Sequence, residues 1–266
     1  MKGRTMLLER ELEMESGCGG GGGGGGKGKR YALLMCGEDS EYLLKKHGGC
    51  FGFFTRMLAE EGERWDLYKV VNGEFPRHDE LPLYDGFVIT GSCHDAHANH
   101  PWIHDLLSLV HTLDSINKKI LGICFGHQIL GRVLGGKVGR SSTGWDIGVT
   151  TMKLASSSSI ALNLPSELSI FKCHRDEVRN LPPKAEIIGW SEKTGIEMFR
   201  YGDHMLGIQG HPEFTIDILF HFIDRLTSRN LLQECFAVDV KVKAALQEPN
   251  TEAWKRLCVN FLKDRL

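Results

Sequence analysis

Cys124 stands in Gly122-Ile-Cys-Phe-Gly-His-Gln128, where an apolar run, Lys119 to Ile123, meets a helix-like run, Gly126 to Leu134. A reactive side chain flanked by glycines at a strand-to-helix turn is the nucleophile-elbow arrangement, with sulfur in place of the serine oxygen. Gly122 and Gly126 carry no Cβ, which leaves room for a tight turn. The helix that follows points its N-terminus at the sulfur and favours the thiolate. The chemistry in prospect is nucleophilic acyl transfer, and it needs a base.

A second segment supplies one. Residues 205–213 read Met-Leu-Gly-Ile-Gln-Gly-His-Pro-Glu, again an apolar strand ending in glycine with a histidine close behind. Functional groups in an α/β sheet gather where parallel strands end, so His211 is expected beside Cys124. An extended chain brings residues i and i+2 to one side, which places Glu213 against His211. The thiol, the imidazole and the carboxylate then form nucleophile, base and orienting group. His211 takes the thiol proton and later gives one to a leaving amine, while Glu213 holds its tautomer. The tetrahedral oxyanion needs donors. The backbone N–H of Phe125 is one candidate, and the Gly91-Ser92 loop at the end of another apolar run is the other.

The elements that must position these groups can be read from periodicity. Tyr31–Cys36, Trp65–Val71, Asp85–Thr90 and Lys119–Ile123 read as buried strands. Glu41–Glu61 reads as mostly helix, weakened by Gly48, Gly49 and Gly52. Pro101–Asn117 reads as a helix with proline in its first turn. Alternating strands and helices predict an α/β fold, a mostly parallel central sheet flanked by helices. After Gly139 the pattern shifts to short strands, Asp146–Leu154, Ser169–Cys173, Glu186–Trp190, Glu197–Arg200 and Met205–Gln209. They are separated by turns such as Leu181-Pro182-Pro183, which predicts an antiparallel or mixed extension. Helices return from Phe214 to the C-terminus, broken at Pro249-Asn250.

A chain of 266 residues with 41% hydrophobic and 25% charged residues has the composition of a globular domain. Its net charge of -2 gives no pull toward nucleic acid or anionic membranes. No apolar run reaches the roughly 18–20 residues of a membrane span. The eight cysteines include no C-x-x-C pair, which reads as reduced cytosolic thiols and not as a disulfide framework or zinc site. Gly19–Gly26 is an unbroken glycine tract, so residues 1–29 are expected to be a disordered tail and residues 30–266 one catalytic domain. The acidic residues Glu9, Glu11, Glu13 and Glu15 argue against a transit peptide.

The paired segments Gly122–Gln128 and Gln209–Glu213 resemble those of the class I glutamine amidotransferase family, with its flavodoxin-like sheet. The likeness is strongest to the plant gamma-glutamyl peptidases. It also rests on Asp85–Ser92 with His94-Asp95, on Lys172–Val178 and on Gly135-Gly136-Lys137. The resemblance implies a triad at Cys124, His211 and Glu213 and a gamma-glutamyl thioester on Cys124 that water hydrolyses. It matches a substrate-contacting glutamine to Gln128, and the stretch gripping the substrate's amino-acid end to Arg175 and Asp176. It implies a small-molecule gamma-glutamyl substrate, glutathione or its conjugates, in cytosolic sulfur-containing secondary metabolism such as glucosinolate biosynthesis. It implies no cofactor, no metal and no obligate protein partner. Two other readings fit the same residues: a glutaminase subunit passing ammonia to a synthetase partner, and a silent binding protein on the same fold.

Position 93 departs from the family pattern, which usually has proline after the Gly-Ser of the oxyanion loop. Cys93 removes a fixed φ there and sets a second thiol near the site; it reads as a tolerated substitution, with a redox pair with Cys124 as the alternative. His94, His97, His100 and His104 crowd one stretch, but no Cys or carboxylate set completes a metal pattern, and they read as surface histidines. His174 reads as either a binding or a structural residue. Trp145 reads as part of the pocket mouth, with packing in the core as the alternative. The charges Lys241, Lys243, Lys255, Arg256 and Arg265 read as solvated helix faces.

Overall fold

The structure, a computed structural model, describes residues 28–266. The expected tail falls almost wholly on residues 1–27, outside the described residues. Lys29 is already held to the domain, since its carbonyl accepts from the Arg64 amide at 2.9 Å.

The elements in chain order are β1 (Arg30–Leu34), α1 (Glu41–His47), α2 (Gly49–Leu58), β2 (Arg64–Tyr68), β3 (Gly86–Ile89), α3 (Pro101–Ser115), β4 (Lys119–Ile123), α4 (Phe125–Val133), β5 (Lys137–Arg140) and β6 (Asp146–Leu154). They continue with α5 (Ser156–Ala161), β7 (Glu167–His174), β8 (Asp176–Asn180), β9 (Ala185–Trp190), β10 (Met198–Tyr201), β11 (Met205–Ile208), α6 (Ile216–Ser228), α7 (Glu234–Ala245) and α8 (Thr251–Leu262). One sheet runs β2-β1-β3-β4-β11-β10-β9-β6-β7, and β5 pairs with β8 in a separate antiparallel ribbon. The pairings from β2 through β11 are parallel, and those from β11 through β7 are antiparallel. The expected α/β sheet is present, and its antiparallel extension continues the same sheet.

Strand composition explains the parallel half. Strands covered on both faces need apolar residues at successive positions. In β1, Tyr31 and Leu33 enter one core while Ala32 and Leu34 enter the other. Phe87 and Ile89 of β3 likewise face away from Val88. Each valine, leucine, isoleucine or phenylalanine so removed from water contributes roughly 1.5–3 kcal/mol. On one face α8 closes over the core, with Trp254 fully buried and its Nε1 donating to the Ser169 carbonyl at 2.9 Å.

Two helical expectations are refined. The helix read over 41–61 is two, because Gly48 takes φ 72° and caps α1 before α2 begins. The C-terminal helices break at a second place, where Asn230 adopts φ 57° between α6 and α7. Among the described residues no helix is long and apolar enough to cross a membrane.

Candidate active site

Strand β4 lies between β3 and β11, all parallel, and its last residue Ile123 is in register with Ile208. The next residue, Cys124, donates its amide to the Ile208 carbonyl at 2.8 Å and takes φ 53°, ψ -100° before α4 starts at Phe125. A positive φ at a residue bearing a Cβ is strained and persists only where its surroundings enforce it. They do so here. A Cβ on Gly122 would lie 2.6 Å from the Gly126 carbonyl oxygen, and one on Gly126 would lie 2.3 Å from that of Ile89. The elbow thus packs at backbone contact distance against both β3 and its own helix. The thiol is buried, only 5% exposed, at the N-terminus of α4.

His211 reaches the same point from β11. The Gln209 amide bonds to the Glu197 carbonyl at 2.8 Å and the His211 amide to that of Phe171 at 2.8 Å. These bonds tie the chain beyond β11 to β7 and to the segment entering β10. Nδ1 of His211 lies 2.8 Å from Oε1 of Glu213, and both side chains are buried. Burial opposes charge on the imidazole, but the Glu213 carboxylate and the Cys124 sulfur outweigh it and raise His211 to about 10. A Cβ on Gly91 would sit 3.0 Å from Cε1 of His211 and 3.8 Å from Cβ of Cys124. The structure therefore gathers Cys124, His211, Glu213, Phe125 and Gly91 around one spot.

Ser92 holds the Gly91 loop. Its Oγ donates to the Cys36 carbonyl at 2.6 Å and accepts from the His94 amide at 3.1 Å. Thr90 braces the other side, accepting from the Cys36 amide at 3.0 Å. These bonds restrain the loop that lacks proline at position 93. Cys93 itself is exposed on the rim of the cavity that holds Cys124.

Gln128 and Asp176 meet directly. Nε2 of Gln128 donates to the Asp176 carbonyl at 2.8 Å and to Oε1 of Gln209 at 3.2 Å. His174 is buried beside them, its Nδ1 3.0 Å from the same carbonyl, and burial pushes it down to about 4, so it is neutral. The Asp176 carboxylate turns away from Gln128, toward Nη1 of Arg140 at 2.9 Å and Nδ1 of His97 at 3.2 Å. Arg140 also holds Asp95 at 2.8 Å, so the Asp95–His97–Asp176 cluster already contains a cation. His94 packs edge-on against His100 and Trp102, and Trp102 stacks on Phe125, so this histidine buttresses the elbow. Arg175 is exposed, with its guanidinium 5.9 Å from the centre of the Trp145 ring. Both line the cavity of about 350 Å³ that opens beside Cys124.

Two features lay outside the sequence reading. Nε2 of Gln209 lies 3.7 Å from the Cys124 sulfur as a donor. The alternation that pairs His211 with Glu213 also puts Gln209 on that face, and this signal was present in the segment. Behind the cavity, the fully buried Lys172 ammonium bonds Asp146 at 2.9 Å and also Glu197. Burial alone would raise Asp146, but the Lys172 ammonium outweighs it and holds Asp146 below the usual carboxylate value. Burial wins at Glu197 and raises it.

The arrangement puts a buried thiol, an imidazole and a carboxylate at the strand ends of an α/β sheet, a set that can carry out acyl transfer. Residues 50–219 match the family Glutamine amidotransferase class-I, and the chain belongs to that family. It is 46% identical to gamma-glutamyl peptidase 5 of Arabidopsis thaliana over 242 residues, covering 89% of this chain and 96% of the relative. It is 44% identical to gamma-glutamyl peptidase 3 of the same plant, covering 88% and 97%. A solved glutamine amidotransferase from Thermotoga maritima superposes with TM-score 0.66 at 21% identity, covering 88% of this chain and 98% of that one. That likeness speaks for the fold.

Proposed function

We propose that residues 30–266 form a gamma-glutamyl peptidase that hydrolyses gamma-glutamyl amides through a thioester on Cys124. The observation that carries this is the buried His211–Glu213 pair at 2.8 Å, set with Gly91 against the strained Cys124 elbow. The similarity to two gamma-glutamyl peptidases over nearly their whole length supports the acyl group.

The Cys124 thiolate attacks the gamma-carbonyl carbon. The Phe125 N–H and the Gly91-Ser92 amides receive the oxyanion. As the carbon–nitrogen bond breaks, protonated His211 gives its proton to the departing amine, leaving glutamate bound to sulfur as a thioester. A water then attacks that carbonyl, His211 takes its proton, and Cys124 leaves as thiolate with free glutamate. Glu213 keeps the imidazole oriented and stabilises its charged form. Oε1 of Gln128 meets no donor among the described residues and is the acceptor for the glutamyl ammonium, while the turn at Arg175 and Asp176 receives that end of the substrate.

Glutathione and its S-conjugates are the substrates this reading favours, in the sulfur-containing secondary metabolism that includes glucosinolate biosynthesis. The seven described cysteines are all unpaired, which supports a reducing compartment, the cytosol. Incubation with glutamine and with an S-substituted glutathione tests the reading. It expects free glutamate and a cysteinylglycine conjugate. Ammonia from glutamine with no conjugate released would favour a glutaminase subunit instead.

A further inference from the structure

We propose that Arg225 and Arg229, in and just past the last turn of α6, bind the carboxylate of the leaving group. The leaving group is then a peptide that ends in a free carboxylate, and an apolar substituent on it gains a further contact. This rests on the hydrolase reading above and extends it to the other side of the scissile bond.

His211 must hand its proton to the departing nitrogen, so the leaving group departs along the face that His211 occupies. The wall on that face is visible ring by ring. Phe214 stacks on His211 with centroids 3.9 Å apart and planes at 14°. Phe222 stacks on Phe214 at 5.3 Å and 6°. The Arg225 guanidinium follows, 6.0 Å from the Phe222 centroid. All of these line the cavity that contains Cys124, together with Leu226 and Arg229. An apolar surface thus leads from the general acid to two guanidiniums one helical turn apart, a spacing that puts them on one face.

Their charges are uncommitted. Arg140, in the same cavity, is held by Asp95 and Asp176. Among the described residues, no carboxylate is paired with Arg225 or Arg229, and the neighbouring Asp224 is taken by Lys241. Guanidinium forks match carboxylates in geometry and charge. Ammonia, the leaving group from glutamine, would use neither the aromatic wall nor the guanidiniums. A peptide with an apolar side chain and a terminal carboxylate would use both.

The test compares S-benzyl glutathione with its C-terminal amide. Wild type is expected to favour the acid by about tenfold or more in kcat/KM, the factor of one well-placed charged contact. The double variant Arg225→Gln, Arg229→Gln should bring that ratio near one, and Arg225→Lys, Arg229→Lys should restore part of it. An equal loss on acid and amide would mean that these residues only support α6, and would overturn the proposal. Equal rates on acid and amide in wild type would overturn it while leaving the hydrolase reading standing. Hydrolysis of neither compound would overturn both.

Discussion

The imidazole of His211 and the carboxylate of Glu213 form a buried pair, Nδ1 to Oε1 at 2.8 Å, that keeps the imidazole charged well above neutrality. With His211 raised to about 10, the imidazole is protonated at neutral pH, as the proposed general-acid step requires. The alkaline limb of kcat/KM should therefore fall near pH 10. Glu213→Gln should draw that limb toward neutral pH and lower the rate less than Cys124→Ala does. A limb that stays in place in Glu213→Gln would contradict the pairing. The same pair stabilises the fold, since free imidazole titrates near 6.5. That contribution is complete below about pH 6.5 and is lost as pH rises through about 10.

Gln209 offers its amide N–H to the Cys124 sulfur at 3.7 Å and its carbonyl oxygen to Gln128. Gln209→Leu removes a donor to the thiolate and loosens Gln128 together. Alkylation of Cys124 by iodoacetamide should slow about fivefold, in keeping with roughly 1 kcal/mol for such a bond, and KM should rise. Unchanged alkylation kinetics would make Gln209 a packing residue only.

Lys172 is fully buried between Asp146 and Glu197. Lys172→Met removes the ammonium shared by the two buried carboxylates, leaving Asp146 only the more distant Lys193 at 3.9 Å, and should cost about 3–5 kcal/mol of stability, read from urea unfolding. A loss under 1 kcal/mol would mean that these carboxylates are satisfied by other groups.

The elbow was legible in sequence because its cause is local: two glycines around Cys124 at the end of an apolar run. His211 with Glu213 was legible for the same kind of reason, since alternation beyond a strand end fixes which residues share a side. Lys172 was not. Its carboxylates, Asp146 and Glu197, are joined to it by pairing across β6 and β7 and by the entry to β10, and register is a property of the folded sheet. Asp176 lies beside Gln128, and its two polar groups divide. The carbonyl meets Gln128 while the carboxylate meets Arg140, and spacing alone does not distinguish the two. The break at Gly48 was foreshadowed by the glycines. The break at Asn230 carried no such mark, because asparagine takes a positive φ only when its neighbours demand it.

The central claim is a gamma-glutamyl group carried on one sulfur. Turnover of S-benzyl glutathione should be quenched in acid, digested and examined by mass spectrometry. A gamma-glutamyl mass on the peptide containing Cys124 is predicted, absent in Cys124→Ala, which should also lose turnover, and strongly reduced in His211→Asn. Undiminished turnover by Cys124→Ala, or acylation at another cysteine with Cys124 unmodified, would contradict it.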